Sequence, residues 1–309
     1  MKIAAFNGFL FHDEMFGYII HFCKKYNHEL TLFCRTDVYN HYIEFYKKHF
    51  KGYYFNVIDA RSFNHHKYGF ECIFLMTDDD QNFKDDDPYI NSITIRIDHD
   101  VEIRRNVISK YIATRPFKDN NRKWALPCYP LYGFTDKYSS LKEKPVIELM
   151  ILGCCIDRYD SSIINRLKTN NDSKFIINIV SRYVSEENIF GIHANCDIHL
   201  YQNISAGYLM RLLKQTDYLL TDAANDNNFE GTRMSGAIPV AFSTMTTLVI
   251  SKQSNKYYNF KNVVEFDKVS EEPIILKEVN LCELEKLEKE REELIDMFSS
   301  HVLDYLKDY

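Results

Sequence analysis

Glycine and proline are scarce in this chain, 10 and 7 residues in 309, which excludes a collagen-like or low-complexity fibre. Eight cysteines are present but no CxxC pair, so a zinc ribbon or a thioredoxin-type redox site has no support. No apolar run reaches the roughly 18 residues needed to span a bilayer. The first twenty residues are interrupted by Asn7, His12, Asp13 and Glu14 and lack a signal-peptide core. Basic residues are in deficit, 38 Lys and Arg against 44 Asp and Glu, so no broad phosphate-backbone footprint and no nucleic-acid partner is expected. A GxGxxG fingerprint is missing, which disfavours a dinucleotide cofactor. Reduced thiols, no membrane span and no leader point to the cytoplasm.

What is present is ample apolar area. Hydrophobic residues make up 45%, including 22 Phe and 22 Tyr, enough to offset chain entropy over about two domains. Short apolar runs alternate with amphipathic stretches. Lys2–Phe6, Glu29–Cys34, Tyr53–Ile58, Cys72–Met76 and Ile93–Ile97 read as strands, with helices over His12–Lys25 and Tyr39–Phe50. That rhythm predicts a parallel sheet covered on both faces, and right-handed crossovers make it Rossmann-like. Between Arg115 and Pro145 lie four of the prolines and the sole tryptophan, Trp124; this stretch reads as the crossover between domains. The alternation restarts with strands at Val146–Leu152, Lys174–Val180, Asp197–Tyr201 and Asp217–Leu220, and helices at Ser161–Lys168 and Ala206–Gln215. A short helix over Asn228–Ser235 ending at Gly236 follows, then strands at Ala237–Phe242 and Asn262–Phe266. The tail, Leu281–Leu306, carries Leu284, Leu287, Leu294, Phe298, Val302 and Leu306 as one helical stripe. The expected domains are 1–120, a linker 121–145, 146–280, and a C-terminal helix 281–309.

Thr216–Phe242, TDYLLTDAANDNNFEGTRMSGAIPVAF, is the strongest signal. A short strand, a polar loop, a Glu-bearing helix, then Gly236, Pro239 and Val240 ahead of a strand resembles the donor-binding region of GT-B glycosyltransferases. The spacing from Gly236 to Pro239 is one residue longer than is commonest there. The resemblance implies two Rossmann-like domains facing each other across a cleft. It implies a transferase moving a sugar from a UDP- or GDP-sugar co-substrate to an acceptor hydroxyl on a carbohydrate or protein. Ala223 stands where retaining members often carry a second Glu, seven residues before Glu230, so an inverting, metal-independent reaction is expected.

The same residues make physical sense alone. A helix amino end collects unpaired N–H groups and suits a diphosphate. Asn228 lies at the start of the expected helix, Glu230 suits ribose or sugar hydroxyls, Gly231 lets a ligand approach the backbone, and Arg233 supplies charge. Helix capping by the Asn/Asp run is the plainer alternative. Gly153, ending the first strand of the second half, and Arg158 form a second candidate phosphate contact at the carboxyl end of the sheet. In the first half, His12 after the first strand is a candidate general base, with Asp13 or Glu14 to raise its basicity. Asp100 and His99, directly after the strand at Ile93–Ile97, are the other catalytic candidates, Asp100 first. Two alternatives stand beside this reading: a GT-B-like scaffold binding a glycan or protein without catalysis, and a GT-A enzyme holding a divalent ion on Asp78–Asp80.

Overall fold

The computed structural model describes residues 1–9, 12–36, 41–77, 83, 87–99, 110–116, 123–142, 144–153, 160–182, 189, 191–221 and 234–307. Contacts divide the chain into two compact units: Met1–Tyr129 with Leu294–Tyr309, and Pro130–Glu293.

The first unit is built on β1 (Lys2–Phe6), β2 (Glu29–Cys34), β3 (Phe55–Asp59), β4 (Cys72–Leu75), β5 (Thr94–Asp98) and β6 (Lys110–Ala113). All pair in parallel in the order β3-β2-β1-β4-β5-β6. The central strands are buried nearly throughout, as the near-continuous apolar runs KIAAF and CIFL require of strands covered on both faces. Helices α1 (Phe16–Lys25), α2 (His41–His49), α3 (His65–Tyr68) and α4 (Pro88–Ile93) connect them. Asp87 starts α4 by accepting the Tyr89 amide, with Pro88 where no amide donor is needed. An aromatic cluster of Phe6, Phe33, Phe63, Phe70 and Phe83 packs one face.

The second unit opens with α5 (Phe134–Lys142), a helix inside the stretch that its prolines mark as a crossover. It continues with β7 (Glu148–Leu152), α6 (Ser161–Asn165), β8 (Leu167–Thr169), β9 (Phe175–Ser181), β10 (Cys196–Gln202), α7 (Ala206–Gln215) and β11 (Tyr218–Leu220). Next come α8 (Ala237–Thr244), β12 (Thr247–Ser251), α9 (Lys252–Tyr258), β13 (Val263–Phe266) and β14 (Ile274–Leu276). Its parallel sheet runs β10-β9-β7-β11-β12-β13, while β14 pairs with β8 alone. Counted from the first strand of each sheet, both units read 3-2-1-4-5-6, the Rossmann order. In each sheet the order of strand addition reverses beside the first strand, between β1 and β4 and between β7 and β11, with all strands parallel.

The expected strand over Ala237–Phe242 is instead helix α8, and Gly236 opens that helix rather than ending one. The strand falls at Thr247–Ser251, after a left-handed turn (φ 57°) made by Met245. The helix expected over Ser161–Lys168 stops at Asn165, and Leu167–Thr169 is extended. The tail is one helix, α10 (Leu281–Leu306). Leu284, Leu287, Leu294, Phe298 and Val302 are all buried, so the stripe belongs to the chain's own core. Within the first unit Phe298 packs edge-on against Tyr18 and Phe22.

Candidate active site

The carboxyl end of the first sheet gathers two of the three catalytic candidates. β1 runs into Asn7, which is fully buried and whose amide bonds the Phe33 carbonyl of β2 at 2.8 Å. The Asn7 side chain reaches forward to Asp13, Nδ2 to Oδ1 at 2.9 Å. Tyr46 of α2 is fully buried beneath this loop, and its hydroxyl donates to the Glu14 carbonyl at 2.7 Å and toward that of Asp13 at 3.2 Å. Tyr129 stands edge-on to Tyr46 and covers Gly17, whose missing Cβ would lie 2.2 Å from the Tyr129 ring. The short 3₁₀ turn Asp13–Met15 is therefore clamped from β1, α2 and the end of the unit.

His12 precedes that turn in the left-handed region, φ 71°, a conformation that costs a residue with a Cβ about 1–2 kcal/mol. Its Nδ1 lies 3.4 Å from Glu14 Oε1, both side chains about one-third exposed (35% and 34%). A carboxylate only accepts, so Nδ1 carries the proton and Nε2 is the basic nitrogen of the neutral ring. Crowding by the protein works against the charge on Glu14. The hydrogen bond and charge of His12, its own backbone amide and His99 outweigh that effect, so its carboxyl titrates below the ordinary range.

His99 follows β5 directly and enters the same place from the other side of the strand reversal. Its ring stacks on that of His12, centroids 5.2 Å apart and planes at 21°. Its Nε2 lies 2.7 Å from the Met76 carbonyl just past β4. The third candidate, Asp100, lies outside the described residues, as do Asp78–Asp80. Asp98, the last residue of β5, is buried, and its carbonyl accepts the Thr114 amide at 3.0 Å. Sequence reading named His12, Glu14 and His99 but passed over Asn7 and Tyr46. A polar residue ending an apolar strand was the available signal for Asn7; Tyr46 carried none.

The corresponding point of the second sheet is Gly153, after β7, and Thr221, after β11. Gly153 holds φ +80°, which only glycine adopts without strain, and among the described residues no atom lies within 4 Å of the position a Cβ would take. Its amide bonds the Val180 carbonyl of β9 at 3.0 Å, and the Thr221 amide bonds that of Val249 in β12 at 3.0 Å. Arg158, Asn228, Glu230, Gly231 and Arg233 lie outside the described residues. The amino end of α8 has few donors to offer an anion. The amides of Ala237 and Ile238 already bond Ser235, and Pro239 has none. Among the described residues no cluster of three or more His, Cys, Asp or Glu suits a metal ion. No helix among them is long and apolar enough to cross a membrane.

No protein-family model and no curated protein sequence matches the chain. Solved structures do match its fold along the whole length. HepE from Anabaena in complex with UDP and glucose superimposes with a TM-score of 0.59 at 10% identity, covering 100% of both chains. AviGT4, a glycosyltransferase involved in avilamycin A biosynthesis, gives 0.58 at 9% identity, covering 99% of this chain and 97% of its own. An α-glucosyltransferase in complex with UDP gives 0.50 at 10% identity, covering 99% and 95%. Twin parallel sheets of one strand order, a long terminal helix and these neighbours together identify the architecture: the chain has the GT-B glycosyltransferase fold.

Proposed function

We propose that the chain transfers a sugar from a nucleotide-diphosphate sugar, UDP-linked in the first instance, to an acceptor hydroxyl, with inversion and without a metal ion. The observation that carries this is the GT-B fold shared end to end with structures solved with UDP and glucose, joined to a histidine–carboxylate pair at the strand reversal of the first sheet. Ligands of open parallel sheets bind at that place.

In this reading His12 is the general base. Its Nε2 takes the proton of the acceptor hydroxyl as that oxygen attacks the anomeric carbon. The bond from that carbon to the diphosphate oxygen breaks, and its electron pair leaves with the nucleoside diphosphate. Glu14 holds the tautomer and stabilises the imidazolium that forms. Such a base contributes about 10²- to 10⁴-fold in rate. Gly153, Arg158, Asn228, Glu230, Gly231 and Arg233 hold the donor, with Glu230 on hydroxyls and Arg233 on the diphosphate. Inversion is supported by Ala223 in place of a second Glu. The GT-B fold argues against the GT-A reading on Asp78–Asp80. Free buried thiols such as Cys23, Cys34 and Cys72 suit the cytoplasm.

Incubation with UDP-glucose, GDP-sugars and a panel of acceptors in EDTA tests the proposal. Release of nucleoside diphosphate and an inverted glycoside is expected. Loss of turnover on chelation would remove the metal-independent part, and release with no His12 dependence would remove the base assignment.

A further inference from the structure

We infer that β10, an edge strand of the second sheet, is a homodimer interface, on which a second copy of the chain lays its own β10 antiparallel about a two-fold axis at His199. This surface is independent of the sugar-transfer reading.

The edge of a sheet offers unpaired N–H and C=O groups, and proteins blunt it with short strands, Lys, Pro, bulges or a covering segment. The β6 edge of the first sheet is covered in this way. The Ala113 amide bonds the Lys123 carbonyl at 2.9 Å, and the Ala113 carbonyl accepts the Ala125 amide at 2.8 Å. β13, at the far edge of the second sheet, is only 4 residues long. β10 uses none of these devices. It runs 7 residues, CDIHLYQ, without lysine or proline, and it pairs residue for residue with β9, so it holds no bulge. Among the described residues no strand pairs with its other side.

The ladder with β9 fixes what that side presents. The Phe175 amide bonds the Asn195 carbonyl, and the Asn203 amide bonds the Ser181 carbonyl. Alternate residues of a parallel strand turn both backbone groups to one neighbour. Asp197, His199 and Tyr201 therefore face β9, while Ile198, Leu200 and Gln202 turn their N–H and C=O groups outward.

This order is self-complementary. His199 is the midpoint of β10, so an axis there pairs the strand over its full length. Ile198 falls opposite Leu200 of the second copy, and Leu200 opposite Ile198, in pairs that exchange both hydrogen bonds. Both side chains are partly buried on the core cluster of the second unit, and the added strand covers their open flank. On the other face Asp197, already paired with Lys174 at 2.6 Å, meets Tyr201 of the second copy and not a second carboxylate. An isologous contact of this kind closes at two copies.

Sedimentation velocity on the wild-type chain across a dilution series should show dimer in exchange with monomer. Leu200→Pro deletes an N–H that the β9 ladder does not use, and symmetry deletes it twice. It should raise the dimer Kd about 5- to 150-fold, with the far-UV circular dichroism unchanged. His199→Lys sets like charges on the axis and should raise Kd about 2- to 5-fold, less at high salt. His199 is exposed, so this variant reports on the interface even where Leu200→Pro fails to fold. With diamide, which takes up the two hydrogens of a thiol pair, His199→Cys should cross-link to its own copy, because opposed Cα atoms of a non-hydrogen-bonded pair lie about 4.5 Å apart. Asp197→Cys is the baseline, since its own copy lies roughly 13 Å away along the strand. A chain that stays monomeric at every concentration, as an edge reserved for an extended segment of another protein would, overturns the inference. So does a dimer whose Kd neither variant moves, or cross-linking in His199→Cys no greater than in Asp197→Cys.

Discussion

The two sheets share one strand order, yet one hydrogen-bonded polar cluster gathers at the carboxyl end of the first and another at the amino end of the second. In the first unit Asn7, Tyr46, His99 and the loop His12–Glu14 meet at the carboxyl end, around a left-handed histidine. In the second, Lys137 of α5 is fully buried and donates to the carbonyls of Leu213 and Thr216 and the hydroxyl of Thr246. Those groups end α7 or directly precede β11 and β12, at the amino end of the sheet. Beside them Lys144 pairs with Asp217 at 2.6 Å, and Asp217 accepts the Glu148 amide at the start of β7. Lys137 satisfies carbonyls that the end of α7 leaves open. A shared topology therefore does not dictate what a buried polar group is for. Polar groups at the carboxyl end of the first sheet are assigned to chemistry, and those at the amino end of the second to holding helices on strands.

Separating the two roles by mutation gives the largest effects. His12→Asn removes the proposed base but keeps a residue that tolerates the left-handed backbone. Its kcat should fall about 10²- to 10⁴-fold with stability changed by less than about 1 kcal/mol, measured by turnover and urea unfolding on one preparation. A large stability loss with little change in kcat would erase the distinction. Lys137→Met is the mirror case. It takes the ammonium donor away from the Leu213 and Thr216 carbonyls and should cost about 2–4 kcal/mol in unfolding free energy, while kcat at a temperature where the variant is folded stays near wild type. Gly17→Ala lies between them. A methyl there meets the Tyr129 ring that backs Tyr46, so a loss of about 1–3 kcal/mol is expected, with a smaller drop in kcat because the clamp on the Asp13–Met15 turn shifts.

The sequence carried most of the strands. Runs such as KIAAF, ELTLFC and CIFL, short, apolar and set between amphipathic stretches, read as strands buried on both faces, and they are. α7 was bounded by a Ser205 cap that accepts the Tyr208 amide. Ala237–Thr244 failed for a physical reason. This helix is buried on nearly every side, so it shows no polar face and no period, and Ile238, Pro239 and Val240 mimic a strand. With a strand already assigned there, the real one at Thr247–Ser251 went unseen. At the site, His12 and His99 stood out as ionisable residues directly after apolar strands. Their stacking was not legible, because 86 intervening residues and four crossovers bring them together. Tyr46 was hidden for the same reason, one aromatic among many on an amphipathic helix.

Alkaline pH sharpens the comparison with a smaller effect. Burial pushes the Cys34 and Cys72 thiols up to about 12 from an ordinary 9.0, and it raises the Cys23 thiol and the Tyr46 phenol well above their ordinary values. These groups stay neutral in the fold while the unfolded chain ionises, so the stability they supply is whole below about pH 9 and is lost as pH climbs toward 12. All lie in the first unit. In the second, burial also raises the Tyr218 phenol and the Cys196 thiol, but it lowers the pKa of Lys137, partly offset by Asp217, so the Lys137 contribution changes the other way, rising with pH up to the ordinary lysine range. Trp124, the sole tryptophan, reports the first unit. At pH 10 its fluorescence transition in urea should move to lower denaturant than the far-UV circular dichroism transition, by about 1 kcal/mol. Coincident transitions at pH 10 would contradict the assignment of these groups.

The most direct test of the account is thermal unfolding with UDP, GDP, CDP and dTDP and their common sugars, in EDTA. A ligand at 100 times its Kd stabilises a fold by about 2.7 kcal/mol, so UDP or another of these nucleotides should raise Tm by several degrees, in His12→Asn as in wild type. No shift with any of them would contradict the claim that this chain binds a nucleotide-sugar donor.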